Sequence, residues 1–105
     1  REGRVMEYRI LLVCSGGMST SVLMDKMQRY ATEHDVVIKV DACGTSNYAD
    51  EAADYDIILL GPQVAYRKAQ IAGTVDVPVV PIAPRDYAFG NVENILTQVD
   101  KVLEG

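Results

Sequence analysis

The residues with the most chemistry to offer lie side by side: Cys14, Ser15, Gly16, Gly17, Met18, Ser19, Thr20 and Ser21. Two adjacent glycines let the backbone curl tightly enough for successive N–H groups to converge on one point. A helix starting just afterwards adds the partial positive charge of its N-terminus. Such a loop is built to hold an anion, and the hydroxyls of Ser15, Ser19, Thr20 and Ser21 add donors without adding charge. At its head stands a thiol, and a cysteine near a helix N-terminus is expected to have its thiolate favoured and to be nucleophilic near neutral pH. The expected product is a phosphocysteine, formed when sulfur attacks a phosphoryl group whose equatorial oxygens the loop holds. Taken alone, Cys14 reads equally well as a small buried thiol at a strand end, and a Gly/Ser-rich connection as a plain turn. The eight residues together favour the anion site.

The spacing resembles that of low-molecular-weight cysteine phosphatases, which share the pattern of strand, C-x-x-x-x-x-R-S/T loop and helix. Here the sixth residue after the cysteine is Thr20, where a phosphatase requires arginine. An arginine fork binds the phosphate dianion and stabilises the charge of transfer to water. Its absence favours a thiol that accepts a phosphoryl group and passes it on over one that hydrolyses it. A phosphatase-like hydrolase and a non-catalytic anion-binding or redox module are the alternatives. No G-x-G-x-x-G occurs, and no Gly-Lys-Ser/Thr ends the loop, so dinucleotide and Walker sites fit poorly.

The elements that position this loop are legible in the hydrophobic pattern. Four strand-length apolar runs, at 9–13, 36–40, 56–60 and 77–82, alternate with helical spacing. Leu23, Met27, Tyr30 and Ala31 make one stripe; Val92, Ile95, Leu96, Val99, Val102 and Leu103 make another, with Asn91 as N-cap. Shorter helical candidates run from Tyr48 to Ala53 and from Val64 to about Ala72. Alternation of this kind predicts an α/β fold: an open four-stranded parallel sheet with helices on both faces and the phosphate-binding loop after strand 1. The runs 10–13 and 57–60 are continuously apolar, as central strands are. The second strand carries Lys39 and Asp41, and the fourth carries Pro78 and Pro81, which suit edges. The expected order is 2-1-3-4. Ligands of such sheets bind beyond the strand C-termini at the switch point, so the loops starting at Cys14 and Gly61 face each other across the site.

The run LLVCSGGMSTS, followed by DIILLGPQVAY and then VPVVPI, resembles the enzyme IIB component of the lactose/cellobiose branch of the bacterial phosphoenolpyruvate-dependent sugar phosphotransferase system. The similarity runs from about Arg9 to Leu103, and the CSGGMSTS wording is closer to cellobiose and chitobiose members than to the glycine-richer lactose members. The resemblance implies a relay. A phosphohistidine on enzyme IIA gives its phosphoryl group to Cys14, held by Ser15, Gly16, Gly17, Met18, Ser19, Thr20 and Ser21. Cys14 gives it in turn to a sugar, a β-glucoside disaccharide such as cellobiose, bound by membrane enzyme IIC during uptake. The chain is then a protein-phosphohistidine–sugar phosphotransferase, with residues 6–105 as one phosphocysteine domain. It is cytoplasmic and acts at the inner face of the membrane through enzyme IIC. After the second central strand, Gln63 could reach the phosphate or a docking partner. In RDYAFGN (85–91), the family's Tyr/Gly turn could place its tyrosine at Tyr87 or at the position of Phe89.

Composition is consistent with this reading. The chain has 105 residues, 49% of them apolar and 24% charged, enough for one core. Ten Lys plus Arg against fifteen Asp plus Glu give a formal charge of −5, without the basic field that nucleic acid or anionic membrane surfaces need. No apolar run approaches the ~20 residues of a membrane span. Two separated cysteines suggest a reducing compartment and, with a single histidine, leave nothing to build a metal site; no cofactor is expected. A monomer is the expectation, since no heptad or spare apolar face is evident. His34 reads as a surface or helix-terminal residue rather than a phosphohistidine, because it lies at the far end of the first helix. Cys43 reads as inert packing rather than a redox partner of Cys14. Asp50, Glu51 and Asp54 read as a solvated helix face. The stretch REGRV before Met6 reads as an expression remnant or a native extension and is given no fold role.

Overall fold

The computed structural model describes residues 7–15 and 19–104. The extension at 1–5, and Gly16, Gly17 and Met18 of the cysteine loop, lie outside the described residues. Strands β1 (Glu7–Val13), β2 (Val37–Cys43), β3 (Ile57–Leu60) and β4 (Val79–Pro81) form one sheet in the order β2-β1-β3-β4, and every pairing is parallel. The reason is visible in the side chains. Ile57, Ile58 and Leu60 of β3, and Ile10, Leu11 and Val13 of β1, are fully buried, because helices cover both faces of the central pair. Each such aliphatic contributes about 1.5–3 kcal/mol of transfer free energy. Along both strands the residues alternate between two cores.

One core gathers Ile10, Leu12, Ile57 and Leu59 with Leu23 and Met27 of α1 (Ser19–His34) and Val92, Ile95, Leu96 and Val99 of α5 (Val92–Glu104). Val102 and Leu103 pack against it partly buried. The other core gathers Leu11, Val13, Ile58 and Leu60 with Tyr48 of α2 (Tyr48–Glu51), Ala52 of the 3-10 turn that follows, Val64, and Ile71 of α3 (Lys68–Ala72). α1, which leads from β1 to β2, thus lies on the face opposite α2 and α3, which lead back across to β3 and on to β4, as right-handed crossovers running in two directions require.

The edges behave as their polar residues and prolines suggest. On β2, Tyr55 donates its hydroxyl to the Asp41 carboxylate, and Lys39 lies 5.1 Å from the Tyr55 ring centre. That hydrogen bond holds the phenol neutral and, with burial and further acidic neighbours, pushes its pKa up to about 12. Just past β4, Ile82 N donates to Leu60 O at 2.9 Å, so the preceding Pro81, whose backbone groups point the other way, has its missing donor off the ladder, while Pro78 lies before the strand begins.

Several boundaries differ from the sequence reading. β2 runs on to Cys43, and β4 is confined to three residues. The candidate at Val64–Ala72 is two pieces, a 3-10 stretch Pro62–Arg67 and α3. The 85–91 segment is largely a helix, α4 (Pro84–Phe89), with proline in its first turn. Gly90 ends it at φ +61°, where Gly90 N donates to Tyr87 O and Asn91 N to Asp86 O at 2.9 Å. This left-handed closure satisfies carbonyls that the helix end would otherwise leave open. Asn91 caps α5 as expected, its Oδ1 accepting from Asn94 N at 3.4 Å. Asp35, also left-handed at φ 56°, ends α1 with Val36 N donating to Ala31 O. His34 sits exposed at that end, stacked 3.9 Å from Tyr30, remote in the topology from the strand C-termini.

Candidate active site

The two central strands deliver their C-terminal residues to one place. Cys14 N donates to Cys43 O at 3.1 Å, and Gly61 N donates to Val13 O at 3.0 Å. The sheet ladder therefore continues one residue past β1 and β3, fixing Cys14 and Gly61 side by side. Cys14 is 6% exposed, and α1 begins five residues later at Ser19. In this sheet topology the helix that follows β1 begins on the C-terminal side of the strand, and a helix N-terminus favours negative charge. Ser15 and Ser21 are exposed at this end. The middle of the anticipated anion loop is outside the described residues, and so are the side chains of Ser19 and Thr20.

Around Gly61 three side chains converge. A Cβ built on this glycine would lie 3.0 Å from Gln63 Oε1, 3.5 Å from Cys14 Cβ and 3.7 Å from Tyr87 Cε1. The loop after β3 thus sets exposed Gln63 and the cysteine against the same glycine. The two aromatic candidates of the 85–91 segment lie in different surroundings. Tyr87 points at the site and packs against the α1–α5 core, whereas Phe89 is 72% exposed. Gly61 itself, which the sequence reading passes over as a loop start, is what leaves this space open. Its place directly after a central strand was the available signal.

Cys43 is next to Cys14 through the backbone but not through its side chain. Cys43 is in register with Val13 and packs with it in the α2–α3 core. Neither cysteine is cross-linked. Burial first, then the nearby Glu51 and Cys14, push the Cys43 thiol up to about 11. Raised this far, it stays a neutral thiol at physiological pH. In a Cys14→Ser protein, which removes only the smallest of these three causes, alkylation by iodoacetamide should have its midpoint well above the ordinary ~8.5 of a free thiol, and a midpoint at that ordinary value would contradict this. No group of His, Cys, Asp and Glu suited to a metal ion is found among the described residues, and no helix among them is long and apolar enough to cross a membrane.

Comparison with known proteins agrees with this geometry. The family model described as "PTS system, Lactose/Cellobiose specific IIB subunit" matches residues 9–102. The galactose-specific EIIB component of Lactococcus lactis subsp. cremoris is 32% identical over 102 residues, spanning 90% of this chain and 94% of that protein. The cellobiose-specific IIB component of Borrelia burgdorferi, known in solution, superposes with a TM-score of 0.75 at 27% identity, covering 97% of this chain and 94% of that one. The lactose-specific EIICB component of Staphylococcus epidermidis is 36% identical over 59 residues, which are 56% of this chain and 10% of that longer protein. A thiol at the switch point of a 2-1-3-4 parallel sheet, and sequence similarity along nearly the whole of it, lead to one conclusion: the chain belongs to the lactose/cellobiose-specific IIB family, phosphotransferases of the sugar-uptake phosphotransferase system.

Proposed function

We propose that Cys14 is the phosphoryl carrier, accepting from a phosphohistidine of enzyme IIA and donating to a sugar held by enzyme IIC. In the first step sulfur attacks phosphorus in line. The S–P bond forms as the P–N bond breaks, and the proton lost by the thiol balances the one taken up by the leaving imidazole. In the second step a sugar hydroxyl attacks the same phosphorus: the O–P bond forms as the S–P bond breaks, and the hydroxyl's proton passes to the departing sulfur, which returns to the thiol. The observation that carries this reading is the placing of Cys14: nearly buried at the end of a central strand, beside Gly61, five residues before α1 begins. Burial protects a labile phosphothiol from water, while the rim bearing Ser15, Ser21 and Gln63 is exposed for two partners in turn. In this reading the N–H groups and hydroxyls of Ser15 to Ser21 hold the phosphoryl oxygens, with Gln63 and Tyr87 flanking them.

Residues 6–105 then act as one phosphocysteine domain at the inner face of the membrane, coupled to it through enzyme IIC. The Staphylococcus relative, whose name joins the C and B components, supports that partnership. The sugars named for the similar proteins differ, being galactose, cellobiose and lactose. This fits a scheme in which enzyme IIC binds the sugar. A β-glucoside disaccharide of the cellobiose class is favoured by the CSGGMSTS loop and by the likeness to the Borrelia protein.

Incubation with a phosphorylated enzyme IIA of this branch tests the carrier role. One phosphoryl group is expected on the tryptic peptide Ile10–Lys26, stable in alkali and released by iodine. A wild-type protein that stays unmodified, or a phosphate found instead on the peptide carrying His34, would sink the proposal.

A further inference from the structure

The groove beside the site is walled by α1 and α4, and one side chain ties the two walls together. Val22, Leu23 and Lys26 line it from α1, and Tyr87, Ala88 and Gly90 from the α4 end, enclosing about 230 Å³. Lys26 reaches across it, and its Nζ donates to Phe89 O at 3.2 Å. The left-handed closure at Gly90 satisfies the carbonyls of Asp86 and Tyr87 and leaves that of Phe89 for this lysine. Helix C-termini are negatively polarised, so an ammonium group there is favourably placed. The fit is close. A Cβ on Gly90 would lie 2.5 Å from Lys26 Cδ and 2.9 Å from Nζ, so the lysine stem lies directly over a residue that must be glycine for its backbone angle as well. On the far side α4 is held to α5, where Asn94 Nδ2 donates to Asp86 Oδ1 at 3.2 Å. Between these two ties, α4 carries the ring of Tyr87 to the space shared by Cys14, Gly61 and Gln63.

We propose that Lys26 is a positioning residue for phosphoryl transfer: by fastening the C-terminal end of α4 to α1 it holds the Tyr87 ring beside Cys14. The inference rests on Cys14 being the phosphoryl acceptor. α4 has only six residues, too few to be stable alone, so its placement depends on such ties. The lysine that provides this one belongs to the same helix that follows the cysteine loop.

The test is a double-mutant cycle on the intact protein, with phosphorylated enzyme IIA as donor and single-turnover transfer as readout. Lys26→Met should lower the maximal transfer rate about tenfold and leave the half-saturating donor concentration within about twofold, because a displaced neighbour affects the reacting geometry and not docking. Lys26→Arg, which can still donate to Phe89 O, should keep at least about half the rate. In a Tyr87→Leu background, Lys26→Met should change the rate by less than about twofold, since the two act through one contact. Amide exchange at Gly90 and Asn91 should rise in Lys26→Met while the melting temperature holds. An unchanged rate, a change confined to half-saturation, or the full tenfold loss in Tyr87→Leu would overturn the proposal. The last two would make Lys26 a docking or phosphate-contacting group instead. A wild-type protein that accepts no phosphoryl group would overturn the carrier reading first, and is told apart by being seen without any substitution.

Discussion

Cys14→Ser is expected to abolish phosphoryl transfer while leaving the fold in place, with a loss on the order of 10⁴ to 10⁶, the scale seen when a nucleophile is removed. The argument is about the atom and not about space. Serine fills almost the volume of cysteine, and the backbone contacts Cys14 N to Cys43 O and Gly61 N to Val13 O do not involve the side chain. A hydroxyl is a far poorer nucleophile near neutral pH unless a base removes its proton. The side chains that converge with Cys14 around Gly61, those of Gln63 and Tyr87, include no carboxylate or imidazole to do so. Burying a hydroxyl where 6% of the residue is exposed costs about 1 kcal/mol. A thermal melt should therefore shift by only a few degrees, while quenched-flow transfer from phosphorylated enzyme IIA falls below detection. Transfer that survives in Cys14→Ser would place the acceptor elsewhere. Neither protein should turn over an aryl phosphate, because Thr20 occupies the place of the arginine such hydrolysis needs.

How much of this was readable in advance depends on how local the signal was. Strands β1 and β3 announce themselves by unbroken apolar runs, because both their faces are covered. The edge positions of β2 and β4 follow from Lys39, Asp41 and the prolines, whose polar groups or missing donors a central strand would not tolerate. The order of the sheet, and with it the meeting of Cys14 and the Gly61 loop, was therefore legible from burial chemistry alone. α4 was not. Its six residues carry no buried side chain, so no periodic stripe betrays it, and only Pro84 and Gly90 mark its ends. Without that helix the choice between Tyr87 and Phe89 stays open, since both are aromatic and two residues apart. A helix turns them to different sides, and packing sends Tyr87 inward. Lys26 was unreadable for a related reason: its partner is a backbone carbonyl 63 residues away, and a carbonyl leaves no trace in residue type. Sheet adjacency sets the backbone of Cys43 beside that of Cys14. Its side chain, however, follows the pleat of β2 into the α2–α3 core.

Gly61 gives the second large expectation, a graded one. Its backbone, at φ −64° and ψ 155°, suits any residue, so substitution there measures space and not strain. Alanine adds a Cβ at 3.0 Å from Gln63 Oε1 and at ordinary contact distance from Cys14 and Tyr87. Gln63 is an exposed, flexible side chain and can swing aside. Gly61→Ala should thus keep transfer within about threefold of wild type, for a stability change within about 1 kcal/mol. Valine adds two further carbons that must enter the space among Cys14, Gln63 and Tyr87, where the rigid ring and the strand end cannot retreat. Displacing reacting atoms by about 1 Å costs on the order of 10²-fold in rate, so Gly61→Val should lose at least that much. Circular dichroism and the melting temperature would show whether the fold persists, and rapid-quench transfer would give the rate. Wild-type transfer by a folded Gly61→Val protein would mean that the phosphoryl group is held well away from the β3 loop, entirely on the α1 side of Cys14. A loss already complete in Gly61→Ala would mean that Gln63 Oε1, the one atom this Cβ crowds, must keep its place for transfer, turning Gln63 from a flanking residue into a participant.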